Sequence, residues 1–185
     1  MRVLFPDPTY DHEESYPPER FAADLKREAR AISADHTVQE RNLGRGADWP
    51  MFVIAFAVLF ASGKKLNDNL EGWIALALKL RGFCAWIGSK CVSQWVDEEA
   101  SALLGLGAVA ESHHCKIESI ELVSSIFVPS AEVLLASGDL PDFQPVGIYI
   151  HAYQVNHAIT YAVVVRSTGA IEASVAVAPD NPFEQ

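Results

Sequence analysis

Residues Met51 to Ala61 form an unbroken run of eleven apolar side chains, the longest in the chain. Read as a helix, the run rises about 16 Å, roughly half the hydrocarbon thickness of a bilayer, so it does not span a membrane alone. A helix apolar on every face must be covered on every face. The expectation is therefore a buried helix over Met51–Phe60, capped by Asp48, with Pro50 tolerated in its first turn and Gly63 ending it. It should lie beneath whatever layer the rest of the chain supplies. A second helix, about Lys65 to Ile87, carries Leu66, Leu70, Trp73, Ala77, Leu80 and Cys84 at helical spacing and completes a helical hairpin. A third, about Ser93 to Glu111, begins with Asp97-Glu98-Glu99 near its positive end, the favourable polarity.

Before this region, Val3-Leu4-Phe5 reads as a short strand followed by a proline- and acid-rich loop. Pro17 and Pro18 suit the first turn of a helix over Glu19–Ser33, whose apolar stripe is Phe21, Leu25, Ala29 and Ile32. Thr37–Arg41 alternates as an edge strand does, and Asn42–Ala47 reads as a turn. After the third helix the period changes to two. Ile120, Leu122, Ile126 and Val128 alternate with Glu121, Ser125 and Phe127, and Pro129-Ser130 opens a short helix ending at Gly138. Gly147–Tyr153, Ala158–Arg166 and Ile171–Ala178 follow as an antiparallel meander, with faces Ile159/Tyr161/Val163/Val165 and Ile171/Ala173/Val175/Val177. The class is α+β, one domain over residues 1–185: a central buried helical hairpin and a further helix packed on a C-terminal antiparallel meander, with one or two N-terminal strands and a helix.

Charge narrows the partners. The chain has 14 basic and 24 acidic residues, a net charge of −10, which opposes a nucleic-acid footprint. Residues 97–185 hold two cations, Lys116 and Arg166, against twelve acids, whereas residues 51–96 hold five cations against two acids. A partner with a basic surface suits the acidic third. The cations of the middle, including Lys64, Lys65, Lys79, Arg81 and Lys90, read as a solvated face or an internal docking surface. Three cysteines, Cys84, Cys91 and Cys115, make no paired framework and suit a reducing cytoplasm. Cys84 and Cys91 stand two helical turns apart, too far for a disulfide, so they read as core thiols.

Three clusters carry donors that chemistry uses. Asp7, Asp11, His12, Glu13 and Glu14 supply oxygen ligands for Mg²⁺ or Ca²⁺, without EF-hand spacing and in what reads as a solvated loop. His113-His114-Cys115 has zinc-type donors. Adjacent residues diverge, however, and the plainer reading is a helix C-terminus followed by a buried thiol. His151 and His157 face each other if the hairpin turns at Tyr153–Val155, with Tyr149 and Tyr153 on the face of His151. Cross-strand partners about 5 Å apart can share a metal or a proton, which makes His151, His157 and Tyr149 the candidate catalytic or metal-binding set. No phosphate-binding glycine loop, nucleophile elbow or H-E-x-x-H motif is present, and no cofactor is expected.

Two stretches, Gly46-Ala47-Asp48-Trp49-Pro50 and Gly63-Lys64-Lys65-Leu66-Asn67-Asp68-Asn69-Leu70-Glu71-Gly72-Trp73-Ile74, resemble small bacterial proteins of the effector-associated constant component type, encoded near conflict-system genes. The resemblance covers about 30 residues and carries no catalytic residue. It implies an accessory or interaction role. The expectation is a non-enzymatic bacterial protein-binding or accessory domain, of immunity or inhibitor type, presenting an acidic surface. The alternative is a metal-assisted hydrolase using the His151/His157 face. A third reading is dimerisation or membrane contact through the Met51–Leu80 hairpin.

Overall fold

The fold is given by a computed structural model that describes residues 1–9, 17–42, 50–56, 69–91, 94–130 and 146–177. It is α+β, with three helices and two four-stranded antiparallel sheets among the described residues. The first sheet has the order β2-β3-β1-β4, from β1 (Arg2–Pro6), β2 (His36–Asn42), β3 (Pro50–Phe56) and β4 (Trp95–Val96). The second is the C-terminal meander, in chain order: β5 (Ile120–Pro129), β6 (Gly147–Val155), β7 (Ile159–Arg166) and β8 (Ile171–Val177).

Helix α1 (Pro18–Ile32) follows the sequence reading closely, with Phe21, Leu25, Ala29 and Ile32 buried along one stripe. The apolar run does not. Met51–Phe56 is strand β3, paired with β1 on one side and β2 on the other, where a buried helix is expected. A run apolar at every position carries no period with which to choose between helix and strand. Phe52, Val53 and Ile54, aromatic or β-branched, fit a pleated sheet better than a helical turn. Burial itself is as expected: Met51, Ile54 and Phe56 are all buried. Their partners differ, though. Phe56 meets Phe83 edge-on at 5.9 Å, and Phe52 packs on Phe5 and Phe21, so this strand is covered by α1 and α2 rather than by the meander. Asp48, Gly63, the Asn42–Ala47 turn beyond its first residue and the Pro129–Gly138 helix beyond residue 130 lie outside the described residues.

The helix with no free face is a different one. Among the described residues helix α2 covers Leu70–Gly88, and α3 (Glu98–Ser112) begins after β4 rather than at Ser93. All ten residues from Ala100 to Val109 in α3 are buried, between α2 on one side and β6, β7 and β8 on the other. Asp97 caps it, accepting from the Ala100 N–H at 2.9 Å, which satisfies one of the helix's orphan donors. Two glycines let neighbours close in. A Cβ on Gly105 would stand 2.7 Å from the Tyr153 hydroxyl, and one on Gly107 would stand 3.3 Å from the Ala77 methyl. The two sheets meet where the Val96 N–H donates to the Ser167 carbonyl at 2.7 Å.

Candidate functional site

Alternation along β6 divides its side chains between two environments. Tyr149, His151, Tyr153 and Val155 point inward and are buried; Ile148, Ile150, Ala152 and Gln154 point the other way. The inward column is the polar-aromatic set that the sequence singles out. Tyr149 and His151 stack at 6.0 Å with rings nearly parallel, and Tyr153 follows at 6.1 Å. Both tyrosine hydroxyls are tied into α3 or β4. The Tyr153 hydroxyl donates to the Ala102 carbonyl, and the Tyr149 hydroxyl reaches the Val96 carbonyl at 3.4 Å.

His151 is wholly inaccessible to solvent, and its Nε2 lies 2.8 Å from the Ser101 hydroxyl, which is equally buried. Ser101 gives its one proton to the Glu98 carbonyl at 2.9 Å. Nδ1 has no partner, so the tautomer that satisfies every N–H donor of this ring is the one with the proton on Nε2, donating to Ser101, and Nδ1 left as a lone pair. Burial lowers the His151 pKa from 6.5 to about 4, so the ring is neutral near pH 7. Burial likewise raises Tyr149 to about 12, with Asp97 and Glu98 adding to the shift. The column is a buried hydrogen-bonded seam of the core.

His157 is elsewhere. The hairpin turns at Asn156–Ala158, three residues later than the histidine pairing needs, so Val163 lies opposite His151. His157 sits exposed in the turn at φ 55°, and the two imidazoles do not converge. The neighbouring Asn156 earns its positive φ by accepting from the Glu118 and Ser119 N–H groups at 2.7 and 3.0 Å. His113 caps the end of α3, as a histidine at a helix C-terminus does, and meets the Tyr161 hydroxyl at 2.9 Å. Cys115 is exposed, contrary to the buried thiol expected there, because the chain leaves the core at His114. Cys84 is buried and Cys91 half-buried; burial pushes both thiols up to about 12, which suits inert packing. Asp7 accepts from the Thr9 N–H and hydroxyl, both at 2.8 Å, and Asp11, His12, Glu13 and Glu14 lie outside the described residues. Among the described residues no three His, Cys, Asp or Glu side chains gather as a metal site requires.

What the sequence reading passes over is the opposite face of the meander. Edge strands β5 and β8 each carry a bulge, at Leu122/Ser124 and beside Val164/Val165. One extra residue reverses the in–out parity of everything beyond it. Ile120 and Leu122 therefore point into the core while Ile126 and Val128 point out, although all four share one predicted face. Ile171 similarly packs on the core while Val175 and Val177 face solvent. The register aligns Ile126, Ile150, Val164 and Ala173 in one outward row and Ser124, Ala152, Ala162 and Val175 in the next. Ile126 and Val175 are each 57% exposed, Val177 49% and Val128 41%. This contiguous apolar sheet face is the candidate site, suited to docking rather than to bond-making.

No family model, curated protein or solved structure matches the chain. No helix among the described residues is long and apolar enough to cross a membrane.

Proposed function

We propose that this chain is a protein-binding accessory domain of the bacterial cytoplasm, without catalysis of its own, and that it docks its partner on the outer face of the C-terminal sheet. The observation that carries this reading is the exposure of Ile126 and Val128 on one edge strand and of Val175 and Val177 on the other, all on the same outward face of the four-stranded sheet. Single exposed aliphatic residues are ordinary, but a contiguous stretch over paired strands is what a partner covers. The sealing of His151 and the distance of His157 in its turn remove the geometric ground for a histidine-based hydrolase. The acidic C-terminal third supports a partner with a basic surface more weakly. Of its described acids, Glu111, Glu118 and Glu172 are paired with Arg81, Lys116 and Arg166. Such rim charge would set encounter rate more than affinity.

The test is affinity capture from the native cell with wild-type bait and with Val175→Asp bait, read by mass spectrometry. A protein retained by the wild type at low and physiological salt and lost by the variant supports the reading. Identical captures by both baits, or chaperones alone, overturn it.

A further inference from the structure

A groove of about 860 Å³ runs between helix α1 and strand β2, within the roughly 300–1,000 Å³ of small-molecule sites. Lys26 and Arg30, both in its lining, stand four residues apart on one face of α1, about 6 Å apart along the axis. His36 and Val38, two apart, share a face of β2. Ala31, Ala34 and Val38 supply the apolar part of the lining, and no acid lines the groove. Arg27 lines it too, but its guanidinium is held by Asp24 at 2.7 Å and Glu28 at 3.0 Å. Counting those two acids, Asp24–Arg30 still carries three cations against two acids. Lys26 and Arg30 are exposed and form no ion pair among the described residues, so the uncompensated charge lies in the groove.

His36 adds a polar atom held in place. Its Nδ1 lies 2.9 Å from the Ser33 carbonyl, which can only accept, so Nδ1 carries a proton and Nε2 is left without a partner among the described residues. Together with the Ser33 N–H, which donates to the Ala29 carbonyl at 3.1 Å, this contact occupies two carbonyls at the C-terminal end of α1. That end carries the partial negative charge that opposes an anion. We propose that the groove binds a small organic phosphate. Lys26 and Arg30 hold the phosphate, His36 Nε2 shares a hydrogen bond with one of its oxygens, and the organic group lies against Ala31, Ala34 and Val38. A dianion suits two free cations better than a carboxylate does, and the planar guanidinium of Arg30 offers a phosphate two parallel donors. The chain as a whole, at −10, repels anions at long range, so selection is by contact and the affinity is modest.

Amide NMR titrations of the full chain at constant ionic strength test this, with phenyl phosphate, inorganic phosphate, benzoate and sodium chloride as probes. Phenyl phosphate should shift the amides of residues 26–38 along one saturable curve in the millimolar range, and inorganic phosphate and benzoate should each bind about tenfold more weakly. Lys26→Gln and Arg30→Gln should each weaken phenyl phosphate about tenfold while keeping the wild-type melting midpoint. Lys79→Gln, which removes an exposed cation of α2 outside the groove, should leave the affinity unchanged. His36→Phe, which keeps a ring against Phe56, should weaken binding several-fold. Shifts that scatter over the surface and match those of sodium chloride, or equal losses in Lys26→Gln, Arg30→Gln and Lys79→Gln, overturn the site. Benzoate as tight as phenyl phosphate overturns the assignment to phosphate, and inorganic phosphate as tight overturns the apolar seat.

Discussion

Replacing His151 with glutamine should remove a large part of the acid sensitivity of this fold. The folded-state pKa of His151 is lowered by burial to about 4, against 6.5 for the free side chain. Between these values the unfolded chain binds a proton that the folded chain refuses, so unfolding takes up protons and stability rises with pH. The contribution is whole above about pH 6.5 and is lost as the pH falls toward about 4. Across the full window it amounts to about 3 kcal/mol, and about 2 kcal/mol is gone by pH 5, a sizeable fraction of the 5–15 kcal/mol that holds a domain together. Glutamine keeps an amide able to bond the Ser101 hydroxyl but does not titrate. Urea unfolding of wild type and His151→Gln at about pH 7.5, 6 and 5 should show the difference in unfolding free energy shrinking by about 2 kcal/mol toward acid. Nitrogen-15 spectra of the wild type should show the neutral Nε2–H tautomer persisting at about pH 5.5. Parallel acid losses in the two proteins, or an imidazole titrating near 6.5, would refute the argument that this ring is a sealed part of the core.

Gly105→Ala should destabilise the fold by about 1–3 kcal/mol through overpacking, less about 1 kcal/mol of helix propensity, because the new methyl meets the Tyr153 hydroxyl at 2.7 Å. In a Tyr153→Phe background the nearest ring atoms are 3.2 Å away; the cost should fall by about 1 kcal/mol in a double-mutant cycle, and an unchanged cost would show that the hydroxyl is not the obstacle. His157→Gly should raise stability by about 0.5–1 kcal/mol in denaturant titration, because only glycine adopts φ 55° without steric cost. Phe56→Ala should cost about 3–5 kcal/mol, measured as the fall in unfolding free energy, by leaving a cavity against Phe83 beneath α2.

The pattern of residues along the chain already carried the α+β class, helix α1 with its buried stripe, the three strands of the meander, and the burial of Met51 and Phe56. Each of these rests on a quantity that is local or compositional. Amphipathic spacing sets a helix face, a switch to period two sets strands, and apolar side chains leave water wherever they end up. What required tertiary structure is of another kind. Met51–Phe56 became a strand because β1 and β2 lie ready to pair with it, and nothing in an all-apolar run encodes that choice. The uncovered-on-no-face position fell to α3 instead, whose Gly105 and Gly107 admit Tyr153 and Ala77 closely. A turn three residues later than supposed separated His151 from His157, and two bulges carried Ile126, Val128, Val175 and Val177 to the solvent side. Side-chain direction in a strand alternates with every residue, so an offset of one exchanges inside for outside. Those offsets are set by hydrogen-bonded neighbours far away in the chain, and the same neighbours decide which face of the meander is core and which is left to meet a partner.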